Sequence, residues 1–341
     1  MEPVEALERI AYLLERGREP TYRVKAFRGA AETLRSLSPD DVAALAARGE
    51  LQSLPGVGEK TSRVIEEALA GEVPAYLRKL EGVVGERVDP RAEALRAALQ
   101  GDCHVHSDWS DGGSGIAEMA VAARALGHSY IVLTDHSPRL TVAKGLSADR
   151  LRRQLDVVAA LNESLAPSFR ILTGIEVDIL EDGSLDQSDD LLSQLDVVVA
   201  SVHSKLRQDS TGMTARMVRA MSNPLADVLG HCTGRIVVGR GRPESTFDEE
   251  AVFGACLEHD KAVEINSRPE RLDPPRRLLS RVVEMGVKIA IDTDAHAPGQ
   301  LEWQYLGCDR AVDCAVDPAS VVNTWAADDL VAWAASHEAA A

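Results

Sequence analysis

A chain of 341 residues, 45% apolar and 27% charged, has the composition of a folded globular protein, long enough for two domains or one large α/β barrel with an appendage. Its net charge of −17 is opposite in sign to the basic footprint of a nucleic-acid binder, and no apolar run is long enough to cross a bilayer. The five cysteines include no CxxC pair and the start, MEPVEALERIAYLL, carries no secretory signature, so a cytoplasmic protein without disulfides and without a membrane role is expected.

The first hundred residues read as helices with short connections. Val4 to Arg16 places Leu7, Ile10, Ala11 and Leu14 at helical spacing, and Arg23 to Leu37 repeats the pattern with Val24, Phe27, Ala30, Ala31 and Leu34. A third helix is expected over Asp40 to Arg48, capped by Ser38 or Asp40. Then LPGVGEKTSRVIEEAL, Leu54 to Leu69, sets a tight Gly56-Val57-Gly58 turn before a helix with apolar Val64, Ile65, Ala68 and Leu69. Two glycines at a helix start leave backbone N–H groups open to a phosphate; the same glycines would also serve a plain pair of packed helices.

That pattern, apolar-Pro-Gly-apolar-Gly-x-Lys before an amphipathic helix, resembles the helix-hairpin-helix phosphate-binding module. Tyr22 through Lys79 resembles the small N-terminal lyase domain of family X DNA polymerases. The resemblance implies a sequence-independent hold on the DNA backbone by Gly56, Val57, Gly58 and Lys60. It departs at Val64, where family members with lyase activity carry the nucleophilic lysine. Without an amine there to form a Schiff base, lyase activity is not expected. Residues 1–82 carry 12 basic and 14 acidic side chains, so most of the acidic surplus lies further on, where bound cations would reduce it.

Residues 1–82 are read as the helical domain, 83–100 as a linker with a short helix at Pro90 to Leu99, and 101–341 as the second domain. The polymerase core that follows such a helical domain in bacterial family X enzymes has no room here, so DNA synthesis is not expected.

From Gly101 the chain alternates strand and helix. GDCHVHSDWSDGG places His104 and His106 two residues apart at the end of a short strand, hence on one face. Asp111 follows, with Asp108 the other candidate in the same loop. Tyr130 to Leu133 leads to Asp135 and His136; Phe169 to Ile175 to Glu176; Asp196 to Ala200 to His203; Ala226 to Leu229 to His231; Lys261 to Val263 to Glu264 and Asn266; Val287 to Ile291 to Asp292, Asp294 and His296. Seven largely apolar segments suit a parallel sheet buried on both faces. Six of the nine histidines fall at strand ends, where β/α barrels gather functional groups. His128, His259 and His337 lie in or beside helices and read as structural.

The ordered motifs HVH, TDHS, GIEVDI, ASVHS, LGHCTGR, EINSRPERLDP and DTDAH resemble the PHP superfamily, and AKGL, EDGSLD and SVHS are most similar to the PHP domain of bacterial family X polymerases. The resemblance implies an α/β fold, a distorted seven-stranded β/α barrel preceded here by the small all-α helix-hairpin-helix domain, with two to three divalent cations at its C-terminal rim. One cation would take His104, His106, Glu176 and Asp294; a second, Glu176, His203 and His231; a third, Asp111, His136 and His296. Mixed nitrogen and oxygen ligands suit manganese, zinc or iron.

With Glu176, Asp294 and His203 as the catalytic set, a hydroxide between two cations would attack a phosphoester. Arg271, Lys144 and Arg235 are candidates for the substrate phosphate, and Asp135 and Asp292 for orienting ligands. Three functions follow: a DNA-directed phosphodiesterase (3′–5′ exonuclease or abasic-site and 3′-end processing) with DNA and repair proteins as partners, a small-molecule phosphomonoesterase of the histidinol-phosphatase type, or a non-catalytic metal-binding DNA adaptor. The complete ligand set counts against the adaptor, and the hairpin favours the nuclease.

Overall fold

The computed structural model describes residues 1–82 and 89–339. The chain divides into two compact units, Met1–Arg87 and Val88–Ala341. Among its described residues the first holds the α-helices α1 (Pro3–Arg16), α2 (Thr21–Arg35), α3 (Pro39–Ala47), α4 (Glu59–Leu69) and α5 (Ala75–Glu81). Their apolar stripes meet in one core. Leu7, Ile10 and Leu14 of α1 lie against Phe27, Ala31 and Leu34 of α2, Val64, Ile65 and Ala68 of α4, and Leu77 of α5. Ser38 is the cap of α3, its side chain accepting from the Asp41 N–H, as residues of this type do at helix starts.

The hairpin before α4 is fixed by one buried side chain and one glycine. Val57 is buried in the helical core, while Gly56 turns the chain at φ +75, a conformation that side-chain-bearing residues rarely adopt. Gly58 is exposed and extended, with φ −108 and ψ −176, and immediately precedes α4.

The second unit is a seven-stranded parallel sheet in sequential order: β1 (Gly101–Val105), β2 (Tyr130–Leu133), β3 (Arg170–Asp178), β4 (Val197–Ser201), β5 (Val228–Leu229), β6 (Ala262–Asn266) and β7 (Lys288–Asp292). It is nearly closed, since Val105 of β1 bridges Ala295 just beyond β7. The Cys103 N–H also donates to Asp292 Oδ1 at 2.7 Å. β3 changes partner partway along. Arg170 to Thr173 pair with β2, and Gly174 to Asp178 pair with β4. A Cβ at Gly174 would sit 2.6 Å from Val132 Cγ1 and 2.7 Å from the Val197 carbonyl, so the change of partner requires glycine.

Period-two alternation divides the apolar residues between two cores. Val197 and Val199 of β4, Ala262 of β6 and Ala290 of β7 face the barrel interior. Val198 and Ala200, Val263 and Ile265, and Ile289 and Ile291 face the surrounding helices. The interior is filled at the N-terminal ends of the strands by the helix Ala327–Ala339, which contributes Leu330, Trp333 and Ala334. Trp333 Nε1 donates to the Asp260 carbonyl, and His337 Nδ1 lies 2.7 Å from Asp227 Oδ1; Asp260 stands two residues before β6 and Asp227 one before β5. His337 is thus structural, as expected.

The segment read as a linker divides. Residues 83–88 lie outside the described residues. Pro90–Ala98 is a helix whose Ala92 and Leu95, with Leu99, join the core around the barrel, so this part is tied to the second unit. No helix among the described residues is long and apolar enough to cross a membrane.

Candidate metal centre

The interior-facing positions turn from apolar to ionisable at the C-terminal end of the barrel. Along β3, Leu172 lies in the interior core, Gly174 follows, and Glu176 stands next on the same face, 1% exposed. Five imidazoles from four strand ends, those of β1, β2, β4 and β5, surround it. His231 Nε2 is 2.8 Å and His203 Nε2 3.1 Å from Oε1; His136 Nδ1 is 2.7 Å, His104 Nε2 3.4 Å and His106 Nε2 3.7 Å from Oε2. His106 Nε2 also reaches Asp294 Oδ1 at 3.5 Å. At the outer edge Asp111 Oδ1 lies 3.3 Å from His296 Nε2 and 3.5 Å from His136 Nε2.

All nine ligand candidates are therefore brought together. Of the two loop aspartates, Asp111 is the one carried to the histidines; Asp108 is exposed, and its N–H donates to the Ser114 carbonyl. Three sub-clusters place ligand atoms within 4.8 Å of one another: His104, His106 and Asp294; His136, Glu176 and His203; and His106, Asp111, His136 and His296. His136 and His106 each join two groups, a sharing the sequence reading did not include.

Electrostatics sort the imidazoles. Burial holds His106 well below its usual pKa, reinforced by His296 and His136, and burial with nearby Arg271 lowers His231. Both shifts favour the neutral imidazole, the form a metal ligand needs. Burial opposes charge on His104 too, but the carboxylates of Glu264 and Glu176 outweigh it and raise the pKa well above its usual value. At His203 the same contest, won by Glu176 and Asp178, pushes the pKa up to about 9. Burial would raise the carboxylates, yet His203, His104 and His136 hold Glu176 well below the usual range, and Arg268, His106 and Arg271 do so for Asp294.

These residues fit divalent cations on the structure's own terms. His104 Nε2, both ring nitrogens of His106 and of His203, and Glu176 Oε2 are buried without a hydrogen-bond partner. Such atoms are costly to bury unless something takes their lone pairs. Convergent imidazoles and carboxylates are a donor set for a divalent metal.

Several supporting residues were not assigned from sequence. Glu264, fully buried, lies with Oε1 2.6 Å from His104 Nδ1 and accepts from the His231 N–H with Oε2 at 2.5 Å. Holding Nδ1 this way turns His104 Nε2 toward Glu176. Asp178 accepts from the His203 N–H at 3.0 Å and lies 3.5 Å from its Nδ1. Its place two residues beyond Glu176 on one strand was the available signal. Arg268 Nη1 donates to the Asp294 carbonyl at 3.0 Å and to Oδ1 at 3.3 Å.

Other candidates are placed elsewhere. The Asp135 carboxylate accepts from Ser107, Ser110 and Gln154 and so shapes the loop that carries Asp111, while its backbone carbonyl accepts from the Glu176 N–H at 3.2 Å. Asp292 accepts from the Cys103 N–H and Asn323. Arg235 is occupied by the Arg271 and Leu272 carbonyls and Glu244, because its job is to hold the loop bearing Arg271. Lys144 is exposed and is not among the residues lining the cleft. Arg271 does line that cleft of about 320 Å³. It donates from Nε to Asp294 Oδ2 at 3.1 Å and keeps Nη1 buried without a partner.

Comparison with known proteins follows the same division. Residues 1–73 match a helix-hairpin-helix domain, and residues 102–268 match the PHP domain. The DNA polymerase/3′-5′ exonuclease PolX of Bacillus subtilis is 36% identical over 253 residues, 73% of this chain but only 44% of its own length. A probable phosphatase of Thermoanaerobacter sp. is 32% identical over 206 residues, 57% of this chain and 78% of that protein. Among solved structures, the histidinol phosphate phosphatase of Lactococcus lactis, complexed with zinc, L-histidinol and phosphate, covers 63% of this chain and 92% of its own at 18% identity and a TM-score of 0.47.

Proposed function

Because the chain belongs to the PHP family, as a metal-dependent phosphoesterase, we propose that its substrate is DNA: a phosphodiesterase acting as a 3′–5′ exonuclease or in abasic-site and 3′-end processing. The observation that carries this reading is the pairing, on one chain, of a histidine–carboxylate cluster with a helix-hairpin-helix motif whose α4 start is open to phosphate, although the expected Val57 and Gly58 N–H donors are themselves taken by the Leu54 carbonyl and Thr61 Oγ1. Because α4 begins at Glu59, with Ser62 N–H to the Gly58 carbonyl as its first bond, the N–H groups of Glu59 and Lys60 have no partner within the helix. Exposed Lys60 adds charge at the same place. Such donors hold a backbone phosphate regardless of base sequence.

In the barrel, His104, His106, Glu176 and Asp294 would hold one cation, Glu176, His203 and His231 a second, and Asp111, His136 and His296 a third. Bound divalent cations supply Lewis acidity, polarising a phosphoryl oxygen and lowering the pKa of coordinated water. The chain's own part is positioning. Arg271, with a free buried donor on Nη1, holds a phosphate oxygen, while Arg268 and Arg271 keep Asp294 ionised. Glu264 fixes His104, and Asp178 fixes His203.

One observation favours the small-molecule reading. A second lobe of about 610 Å³ shares Leu140 and His203 with the first and is lined by Asp178, Glu181 and Asp182 beside Arg139; its three carboxylates against one guanidinium leave room for an ammonium group such as that of histidinol phosphate. Gly58→Val separates the two. Nothing lies within 4 Å of a Cβ at Gly58, and its φ of −108 is open to valine, so the fold is kept while bulk covers the phosphate-facing N–H groups. The expected result is a rise of about fivefold or more in KM for single-stranded DNA and a shallower salt dependence, with kcat and histidinol phosphate turnover unchanged. DNA turnover indifferent to Gly58→Val, beside faster turnover of histidinol phosphate, would favour the small-molecule enzyme.

A further inference from the structure

The cleft over the cluster is lined by guanidinium, carboxylate and imidazole groups, Arg268, Arg271 and Glu270 among them, and by four apolar residues. Leu140, Val142 and Ala143 come from one loop; Ile236 comes from a second, beside Arg271, since its neighbour Arg235 donates to the Arg271 carbonyl and Val237 to that of Glu270. Val142 is 89% exposed, and a lone exposed valine would call for no explanation. This one sits on a turn that is anchored on both sides. The helical turn Thr141–Ala143 buries Ala143, and Leu146 behind it is fully buried. The Leu146 N–H donates to the His136 carbonyl at 2.7 Å. A Cβ on Gly145 would fall 1.8 Å from the Ser137 carbonyl, so backbone packs directly on backbone there. Arg150 Nη1 ties down the Lys144 carbonyl as well. Val142 is thereby held out over the cleft at a fixed offset from His136.

Ile236 is anchored comparably. Its N–H and carbonyl pair with those of Arg242 at 2.9 and 2.8 Å, closing a short hairpin that turns through Gly239 and Gly241, both at positive φ. That hairpin exposes Val237 and Arg240. Anchored apolar side chains, guanidinium donors and a cation-binding cluster sharing one cleft of about 320 Å³ match a ligand with a flat apolar body and an anionic end.

Resting on the DNA-directed reading above, we infer that Leu140, Val142, Ala143 and Ile236 seat the base of the strand's terminal nucleotide while Arg271 and the cluster take its phosphate. These side chains are then a specificity determinant, one that rewards an end bearing a base. Apolar side chains hold an unstacked base by face contact, without reading its identity.

The test uses the full-length, metal-loaded protein on two labelled oligothymidylates, one ending in thymidine and one ending in a tetrahydrofuran abasic residue. The wild type should prefer the base-bearing end by about tenfold in kcat/KM, and Val142→Asp should bring that ratio to about two or less. Val142→Phe should widen it. Because Val142 is almost wholly exposed, the variants keep their fold and metal content, and the rate on the abasic end is the internal control. A wild-type ratio near unity, a preference for the abasic end, or a ratio that Val142→Asp leaves unchanged would overturn the inference and leave the DNA reading standing. Turnover of histidinol phosphate with neither oligonucleotide cleaved would instead remove the DNA reading, and this inference with it.

Discussion

Glu176→Gln is expected to lower phosphoesterase activity by more than about a hundredfold, beyond the range for losing a group that merely orients a metal ligand. The substitution keeps the volume of the side chain and one carbonyl oxygen, so loss cannot be ascribed to a cavity. What it removes is a buried negative charge that five imidazoles share at 2.7 to 3.7 Å. Without it, His203 loses the carboxylate that contributes most to its raised pKa, and no other carboxylate stands among His104, His136, His203 and His231 at once. Elemental analysis of the purified variant should show at least one metal equivalent fewer per chain, with an unchanged circular dichroism spectrum. Full turnover at wild-type metal content would refute the bridging role.

Glu264→Gln should come next in size, a loss of about ten- to a hundredfold in metal affinity or activity, as for other residues that orient metal-binding histidines. Both Glu264 oxygens are engaged, one with His104 Nδ1 and the other with the His231 N–H and Asn266 Nδ2, the last at 3.2 Å. A glutamine has only one oxygen to offer and presents an amide N–H₂ toward one of these donors. Either His104 turns or the His231 backbone shifts. Competition against a chelator of known affinity reads this directly: wild-type affinity in Glu264→Gln, with lowered activity, would mean that Glu264 acts on substrate and not through His104.

Much of this centre was legible from sequence because its residues close apolar strand segments. His104, His106, His136, Glu176, His203, His231, Asp294 and His296 each follow such a run, and a parallel β/α barrel sends the ends of all its strands to one rim. Cross-strand contacts were less legible. Glu264 and Asn266 broke the apolar run and seemed to end a strand that in fact continues to Asn266; their side chains face the interior, where polarity is useful. Asp135 has the adjacency to His136 that suggests an orienting carboxylate. Alternation nevertheless points it the other way, to Ser107 and Gln154. Arg235 and Arg271 are equivalent as sequence, and only the loop fold makes one hold the other's carbonyl. The helix Ala327–Ala339 fills the barrel's closed end with Leu330, Trp333 and Ala334, yet its composition gave no sign of that destination.

The seam between β1 and β7 makes the barrel a hoop with a catch. Neighbouring strands elsewhere are joined by ladders of two or more residue pairs, the one between β1 and β2 with a register shift, whereas here the bridge is Val105 to Ala295 with the Cys103 and His106 N–H groups donating to Asp292 and Ala295. His104 and His106 stand on one side of this join and Asp294 on the other, with His106 Nε2 and Asp294 Oδ1 3.5 Å apart. Whatever these three side chains bind in common fastens the first strand to the last. Occupancy of the centre and closure of the barrel are therefore linked equilibria, and ligand free energy reappears as resistance to unfolding. Amides flanking the join, around Cys103 and Ala295, are where a chelator should first speed hydrogen exchange.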